Sequence, residues 1–520
     1  MSELQSLAKD IAQCHVRHVF GIPGSGPSLT LLDALEKEGV PFYLTHFEGT
    51  GALMAGAVGR LSGKAGVAVS IKGPGLANMV PGLAACYLEA WPIVSLSESY
   101  LPGAPLWNAH KRLDHDGILA KVTKGSRIFS QKGPQFSDLS EWAEHEVPGP
   151  VHLNISDSLI GEDRPVSCKQ DRRIDPVSLQ TLTEIIDKSH RPVVIAGTFG
   201  IRQGISAFLN NLTIPVFSVA AAKGVVDETL PHAAGVYTGA GLELAPETVI
   251  LPKADLVIGI GLRHNEVLQV KPPPSLTVNV DPMGQELYYG FQFDHLFYGD
   301  MEAMGLVLSA LSKKHWGLDE LKGCIDKLRN VLLTQAFMPA KVFQMIEHHF
   351  GHECRMVLDT GHFCTIGEHI LRIRRPEFYL AAGQSRYMGV GLPVAVGAAI
   401  YDPAIPTVAL IGDGGIGMFI AEMKLAARHR LPLIVVLLSD GFLGSVRIRA
   451  IKDGLTEKPV TVQQASWLKA VDALGVPARR ASNEQGLENI LTSWDLSHGP
   501  LFIEVRFDPD KYQDMVKGIR

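Results

Sequence analysis

Short runs of β-branched and other apolar residues alternate along the chain with helix-length segments. This alternation predicts parallel sheets that carry helices on both faces. The runs fall into three blocks, so the pattern predicts an α/β protein with three doubly wound parallel-sheet domains, at residues 1–163, 176–335 and 340–520. The charged, aperiodic stretch GEDRPVSCKQDRRIDP is interpreted as the linker between the first two domains.

The predicted strands lie within apolar runs that end in turn residues. They are VRHVFGIPG, PFYLTHFE, KAGVAVSIKGPG, WPIVSLSES and PVHLNIS in the first block; RPVVIAGTFG, IPVFSVAAAKG, ADLVIGIGLR and SLTVNVDP in the second; and CRMVLDTGH, EFYLAAGQS, PTVALIGDGG, LPLIVVLLSDG and GPLFIEVRF in the third. Ligands of open parallel sheets bind outside the carboxyl ends of the strands. The glycine-rich strand exits are therefore the expected sites of chemistry.

Composition excludes several classes of protein. The formal net charge of −6 gives no basic surface for nucleic acid, and no polybasic cluster indicates binding to a membrane surface. No apolar run approaches the roughly 18 residues of a membrane span, and the N-terminal segment lacks the apolar core of a signal peptide. The six cysteines include no C-x-x-C pair and are interpreted as reduced thiols. We therefore expect a cytoplasmic protein.

Two aspartates follow strands of the third block. PTVALIGDGG is interpreted as a strand and turn, and LIVVLLSDG as the next strand. MFIAEMKLAARHR between them is interpreted as a helix with Phe419, Met423, Leu425 and Ala426 on its buried face. In such a βαβ unit, Asp413 and Asp440 lie past the carboxyl ends of parallel strands, which are about 5 Å apart if adjacent. Asp440 is also explained by a tight turn alone, because Asp and Gly both tolerate turn geometry.

The paired carboxylates and the glycines beside them suit one kind of ligand. Proteins usually hold Mg²⁺ through one or two carboxylates together with substrate phosphates. Gly412, Gly414 and Gly415 allow an anion to approach the backbone next to a helix N-terminus, which favours negative charge. The unit therefore predicts a site for a magnesium diphosphate.

The combination GDGG and LLSDGFLG resembles the fingerprint of thiamine-diphosphate-dependent enzymes, in which G-D-G is followed, across one βαβ unit, by Asn. The resemblance implies that Asp413, Asp440 and the carbonyl of Phe442 bind Mg²⁺. This chain has Ser439-Asp440 where Asn-Asn is usual, and the additional charge implies a greater need for Mg²⁺. The three blocks resemble the pyrimidine-binding, middle and diphosphate-binding domains of the pyruvate decarboxylase, benzoylformate decarboxylase and acetolactate synthase branch.

The same resemblance extends to the first block. YLTHFEGTGALMAGAVGRLSGKAGVAVSIKGPG is similar to the family segment that contains the catalytic glutamate, which contacts the aminopyrimidine ring and promotes formation of the ylid. It implies that Glu48 is that residue. A helix-start acid beside the dipole is the alternative interpretation of Glu48.

In the third block, AAGQSRYMGVGLPVAVGAAI resembles the segment that supports the bent coenzyme, with Met388 as the apolar wedge. A methionine in the protein core is the alternative. VLDTGHFCTIG corresponds to the diphosphate-contacting turn, which implies that Gly361 and His362 lie near phosphate oxygens; a surface turn is the alternative for His362.

Basic and hydroxyl side chains at strand exits are candidates for binding the substrate. Ser25 in VFGIPGSG matches a substrate-binding serine of benzoylformate decarboxylase, although serine is also an ordinary turn residue. Lys72 in SIKGPG stands where relatives carry His or Ser, and it either binds a substrate anion or extends to solvent. Arg386, placed among the cofactor-binding positions, and Arg447 are further candidates for binding the anion. His46, His110 and His115 are interpreted as proton-transfer groups or as ordinary polar residues.

These features favour a decarboxylase or C–C lyase that acts on a small anionic 2-oxo acid through ylid and enamine intermediates. An acetolactate-synthase-like carboligase and a non-catalytic binding or regulatory subunit are the alternatives. The resemblance implies thiamine diphosphate and Mg²⁺ as cofactors, and active sites formed between the subunits of a homodimer or homotetramer. GIG and AGTFG in the second block do not complete a dinucleotide fingerprint, so neither a nicotinamide cofactor nor FAD is indicated.

Overall fold

The computed structural model describes residues 3–100, 110–129, 135–156, 176–239, 242–263, 266, 273–281, 292–298, 301–333 and 337–515. It contains three sheets of six parallel strands with helices packed on them, which confirms the predicted fold class. No helix in these ranges is both long enough and apolar enough to cross a membrane. Five cysteines are free thiols, and Cys168 lies outside the described ranges.

The first sheet has the order β2-β1-β3-β4-β6-β5. Its strands are β1 Val19–Ile22, β2 Phe42–Leu44, β3 Gly66–Ser70, β4 Ile93–Glu98, β5 Gly125–Ile128 and β6 Pro150–Ile155. The helices of this region are α1 Glu3–Gln13, α2 Pro27–Lys37, α3 Glu48–Ser62, α4 Pro74–Leu88, α5 His115–Leu119 and α6 Phe136–Glu144.

The second sheet has the order β12-β11-β10-β7-β8-β9. Its strands are β7 Pro192–Ala196, β8 Val216–Ser218, β9 Ala233–Val236, β10 Leu256–Ile260, β11 Leu276–Asp281 and β12 His295–Tyr298. The helices are α7 Pro176–Lys188, α8 Thr198–Arg202, α9 Ser206–Leu209, α10 Glu247–Ile250, α11 Met301–Leu311 and α12 Leu318–Leu333.

The third sheet has the order β14-β13-β15-β16-β18-β17. Its strands are β13 Arg355–Leu358, β14 Tyr379–Ala381, β15 Thr407–Gly412, β16 Leu433–Ser439, β17 Ala478–Ala481 and β18 Leu501–Arg506. The helices are α13 Pro339–Phe350, α14 His362–Ile370, α15 Gly391–Tyr401, α16 Asp413–Phe419, α17 Glu422–Arg428, α18 Gly444–Lys452, α19 Leu468–Ala473, α20 Glu484–Ser493 and α21 Pro509–Met515.

The first and third regions share one hydrophobic core, in which α3 packs directly against α15. Both helices are rich in Ala and Gly, which lets their backbones approach closely. A Cβ atom on Gly397 would lie 2.6 Å from the Cα of Met54. The helix that begins with Glu48 is therefore held rigidly against the third sheet of the same chain.

The helix predicted over residues 418–430 differs from the observed structure. The chain forms two short helices there, α16 and α17, separated by Ile420 and Ala421. Met423 is fully buried as expected, whereas Phe419 is only half-buried and stacks on Phe47, with ring centroids 5.7 Å apart. The break turns α17 so that its first residue, Glu422, faces the first region.

Candidate active site

Asp413 and Asp440 lie together because β15 and β16 are adjacent parallel strands. Oδ2 of Asp413 accepts hydrogen bonds from the backbone nitrogens of Asp440, at 2.9 Å, and Gly441, at 2.8 Å. Oδ1 of Asp440 accepts a bond from the backbone nitrogen of Phe442 at 3.1 Å. One carboxylate thus closes the turn at the end of the neighbouring strand, and the other orders the residue whose carbonyl is the third predicted ligand.

The electrostatics of this pair favour a cation. Both residues are buried, and Oδ1 of Asp413 has no hydrogen-bond partner among the described residues. Burial raises the pKa of Asp413 above its usual value. Burial also raises the pKa of Asp440 to about 6, and the charge of Asp413 adds to this increase. Two adjacent buried carboxylates, one with an unused oxygen, form a donor set that suits Mg²⁺.

No described group of three or more His, Cys, Asp or Glu side chains could hold a metal ion. An ion at this pair would therefore need further oxygen ligands, from the backbone, water or a bound phosphate. That arrangement is usual for Mg²⁺.

A cavity of about 170 Å³ opens beside the two aspartates. Its walls include residues at several of the predicted coenzyme positions: Gly361, His362, Met388, Gly412, Asp413, Gly414, Asp440 and Phe442. A Cβ atom on Gly414 would lie 2.7 Å from the sulfur of Met388, so a larger residue there would require the Met388 side chain to move. A Cβ atom on Gly415 would overlap a carboxylate oxygen of Asp359. The glycines of GDGG thus allow close packing around the cavity.

Buried carboxylates hold the loop that contains Met388. Asp359 accepts hydrogen bonds from the backbone nitrogens of Gly389 and Gly391, and burial raises its pKa to about 7. Glu89, from the first region, accepts bonds from the backbone nitrogens of Gln384 and Ser385. The two acids fix the position of the loop, and Glu89 does so from a point 295 residues away in the chain.

Arg386 lies on the same loop, with a backbone φ of +50°. Its guanidinium donates to Glu368 at 2.7 Å and to the sulfur of Cys364 at 3.2 Å. The contact with Glu368 raises the pKa of Arg386 despite partial burial. This side chain therefore ties the Met388 loop to α14.

Gly361 and His362 form the start of α14. Gly361 is the N-cap residue in an extended conformation, and His362 is buried, with its ring edge-on to Tyr512 at 5.2 Å between centroids. The surface-turn alternative for His362 does not describe this buried side chain. Both residues line the cavity at Asp413.

Glu48 is the first residue of α3 and is buried. Its Oε2 accepts a hydrogen bond from the side-chain amide of Asn78 at 3.1 Å. The residues on both sides of it are anchored by Glu422, which accepts hydrogen bonds from the His46 backbone nitrogen at 3.0 Å and from the Thr50 hydroxyl at 2.6 Å. The sequence did not identify Asn78 or Glu422, because neither belongs to a recognisable local motif.

Lys72 and Ser25 lie at strand exits of the first sheet. The Lys72 ammonium is 3.3 Å from Oε2 of Glu98 and 5.3 Å from the centre of the Tyr100 ring. Ser25 is exposed, whereas Ser28 is buried and donates to Oε1 of Glu98 at 2.6 Å. Lys72 therefore compensates a buried carboxylate in addition to facing a cavity of about 400 Å³.

The remaining candidate side chains either form hydrogen bonds or ion pairs within the protein or are exposed to solvent. His115 receives a hydrogen bond from the backbone nitrogen of Gly73 at Nε2, and its Nδ1 lies 2.7 Å from Oδ1 of Asn154. These contacts hold a neutral ring, and burial lowers the pKa of His115. His110 is exposed, and Arg447 is paired with Glu457 and Asp510 and covers the ring of Phe442.

Three family models match the chain in succession. They describe the thiamine pyrophosphate enzyme N-terminal TPP binding domain, at residues 1–100, the central domain, at residues 179–311, and the C-terminal TPP binding domain, at residues 359–505. Glu48 and Lys72 fall within the first match, and Asp413, Asp440 and Met388 within the last.

Curated proteins from several organisms are similar over nearly the whole chain. A probable acetolactate synthase large subunit of Methanocaldococcus jannaschii is 26% identical, over 99% of this chain and 93% of its own. The acetolactate synthase isozyme 2 large subunit of Escherichia coli is 25% identical, over 95% and 93%. A probable 2-ketoarginine decarboxylase of Pseudomonas aeruginosa is 26% identical, over 96% and 93%. The chain therefore belongs to the thiamine pyrophosphate enzyme family, in the branch that contains pyruvate decarboxylases and acetolactate synthases.

Proposed function

We propose that this protein is a thiamine-diphosphate- and Mg²⁺-dependent decarboxylase or C–C lyase that acts on a small anionic 2-oxo acid. The observation that carries the proposal is the buried pair Asp413 and Asp440, with an unused carboxylate oxygen beside a cavity in the matched C-terminal TPP binding domain. The buried Glu48 at a helix start in the matched N-terminal domain supports it.

Each residue has a distinct role in this proposal. Asp413, Asp440 and the Phe442 carbonyl hold Mg²⁺, and thiamine diphosphate supplies, when bound, a carbon nucleophile and an electron sink. Glu48 holds a proton at the aminopyrimidine, and Asn78 orients its carboxylate through the observed bond. Lys72, whose side chain is 24% exposed, attracts the substrate carboxylate.

We further propose that two copies of the chain form each active site. The cavity at Asp413 is lined by residues of the third region, whereas Glu48 lies in the first region. Contacts with Glu422 and α15 of the same chain hold the helix that begins with Glu48 in place. A second copy would bring its Glu48 to the open cavity. A homodimer is the smallest assembly that satisfies this arrangement, and a homotetramer satisfies it twice.

Carbon dioxide release from a panel of 2-oxo acids tests the reaction. The enzyme loaded with thiamine diphosphate and Mg²⁺ should decarboxylate at least one anionic 2-oxo acid, and exchange of the coenzyme C2 proton, followed by NMR, should be faster than in free coenzyme. Glu48→Gln should abolish both, whereas Glu141→Gln, at an exposed position, should retain them. Absence of C2 exchange in the loaded native protein would contradict catalysis and favour a binding or regulatory subunit.

An acetolactate-synthase-like carboligase is the second candidate, and the acetolactate synthases among the relatives favour it. The two reactions share the first steps and differ in what captures the product of decarboxylation. Pyruvate as sole substrate separates them: formation of acetolactate or acetoin supports the carboligase, and formation of free aldehyde supports the decarboxylase.

A further inference from the structure

A cavity of about 600 Å³ lies where the three regions of the chain meet. Its walls come from the end of α3, the segment after α4, helices α8 and α9, and residues 374–381. It shares no lining residue with the cavity at Asp413. It is therefore a separate space, and the coenzyme chemistry described above does not use it.

The charges in this wall are unequal. Five arginines line the cavity, against two glutamates, Glu89 and Glu377; the arginines are Arg60, Arg202, Arg263, Arg374 and Arg375. Two of the arginines, Arg374 and Arg375, are about half exposed and pair with acids at the surface. The imbalance is therefore concentrated at the three less exposed arginines, Arg60, Arg202 and Arg263.

Arg60, in the last turn of α3, has the least compensated charge. Its Nη2 atom is buried and has no hydrogen-bond partner among the residues that the structure describes, and no described Asp or Glu forms an ion pair with it. Burial lowers the pKa of Arg60 to about 10, and the nearby charge of Arg263 lowers it further. A desolvated cation without a partner is costly, so such groups normally bind a counter-charge.

The neighbouring carboxylates are already engaged. Glu146 accepts two bonds from Arg263, one of them 3.0 Å long, and lies 3.9 Å from Arg202. Glu266 lies near Arg263, but its oxygens already accept hydrogen bonds from the backbone nitrogens of Thr198 and Arg263. Arg60 and, in large part, Arg202 are left for another anion.

The two glutamates of the cavity wall do not fill this role either. Glu89 already accepts hydrogen bonds from the backbone nitrogens of Gln384 and Ser385. Glu377 pairs with Arg375 at 3.4 Å. Both are near enough to influence the charge of Arg60 without forming an ion pair with it.

We propose that this three-domain cavity binds a small oxyanion metabolite, through a phosphate or carboxylate group held by Arg60 and Arg202. Arginine suits this task because its planar donor array matches both groups. The volume leaves room beside one phosphate ion for further ligand atoms against the apolar part of the wall, which includes Leu61, Trp91 and Ile201. This site is independent of the proposed catalytic reaction.

Equilibrium dialysis of the holoenzyme, saturated with thiamine diphosphate and Mg²⁺, tests the proposal. Inorganic phosphate and malonate are the two probes, each at constant ionic strength in chloride buffer. One saturable site per chain is expected for at least one of them. Binding of phosphate alone indicates a phosphate ester, and binding of malonate alone indicates a dicarboxylate. Absence of saturable binding by both overturns the proposal.

Matched variants locate the site. Arg60→Met and Arg202→Gln should each weaken binding by at least tenfold, whereas Arg449→Gln, at an exposed arginine in α18, should leave the Kd unchanged. Without added anion, Arg60→Met should melt no lower than the native protein, because it removes an uncompensated charge. Unchanged affinity in both cavity variants would contradict the proposal. If Arg60→Met does not fold, Arg202→Gln decides.

Discussion

Glu89 connects the first region to the loop that contains Met388. Its carboxylate is only 6% exposed and accepts four hydrogen bonds from two residues: two from the Gln384 backbone nitrogen, and one each from the Ser385 nitrogen and hydroxyl. Burial raises the pKa of Glu89 to about 7, although these bonds oppose the increase. We therefore expect the substitution Glu89→Gln to change stability in a pH-dependent way.

The magnitude follows from the pKa. Its increase from the usual 4.5 to about 7 corresponds to a cost of about 3 kcal/mol, at about 1.4 kcal/mol for each pH unit. This cost is absent below pH 4.5, grows between pH 4.5 and about 7, and is complete above that range. Glutamine avoids the cost but loses about 1 kcal/mol when its amide nitrogen replaces an accepting oxygen. Glu89→Gln should therefore be about 2 kcal/mol more stable than native protein at pH 7.5, and about equally stable near pH 5.

Calorimetric melting between pH 5 and 8 measures this difference. About 2 kcal/mol in a region of this size shifts the melting temperature by roughly 4–8 °C. Glu141→Gln, exposed on α6, should show no pH-dependent difference from the native protein. The lost hydrogen bond should also loosen the Met388 loop and weaken thiamine diphosphate binding about fivefold. A melting difference that stays constant from pH 5 to 8 would refute the reasoning.

Further predictions concern the metal pair, the substrate and the core. Asp440→Asn should preserve activity and relax the dependence on Mg²⁺, measured by titration with the metal; complete loss of metal binding would mean that the site is built differently. Glu48→Gln should abolish turnover but leave coenzyme binding measurable by calorimetry, and near-normal activity would contradict its role. Lys72→Met should raise KM for an anionic 2-oxo acid by tenfold or more with a smaller change in kcat; an unchanged KM would leave Lys72 with only a structural role. Lys223→Met should destabilise the protein by about 3–5 kcal/mol, because it leaves Glu228 buried without its partner, and the double change with Glu228→Gln should restore part of that loss.

The central strands and the edge strands β2 and β14 could be predicted from sequence, whereas the other four edge strands could not. Strands such as β15 and β16 are continuous apolar runs because helices cover both faces of the sheet. The missed strands β5, β9, β12 and β17 each form an edge of their sheet. Their sequences, including GSRI and ARRA, are short and partly polar, since one side is open to solvent. Their pairing depends on the neighbouring strand more than on their own residues.

In the candidate site, the local contacts were likewise predictable from sequence and the contacts between distant segments were not. The proximity of Asp413 and Asp440 was predictable, because it follows from one local βαβ unit. Glu89 and Glu422 were not predictable, because their partners lie about 300 residues or more away in the chain. Such contacts depend on the packing of α3 against α15, which leaves no periodic signal in either segment.

Asp440 shows why a turn residue and a metal ligand need not be alternatives. Its backbone nitrogen donates a hydrogen bond to Oδ2 of Asp413, so the turn holds that carboxylate in place before any ion is present. Its own Oδ1 accepts a hydrogen bond from the backbone nitrogen of Phe442, and this bond fixes the peptide that leads to the third predicted ligand. Asparagine could accept the same bond from Phe442, so the hydrogen-bonded turn does not require aspartate. The additional charge is therefore the feature that distinguishes this site from the usual one, and the Mg²⁺ dependence of Asp440→Asn is the measurement that isolates it.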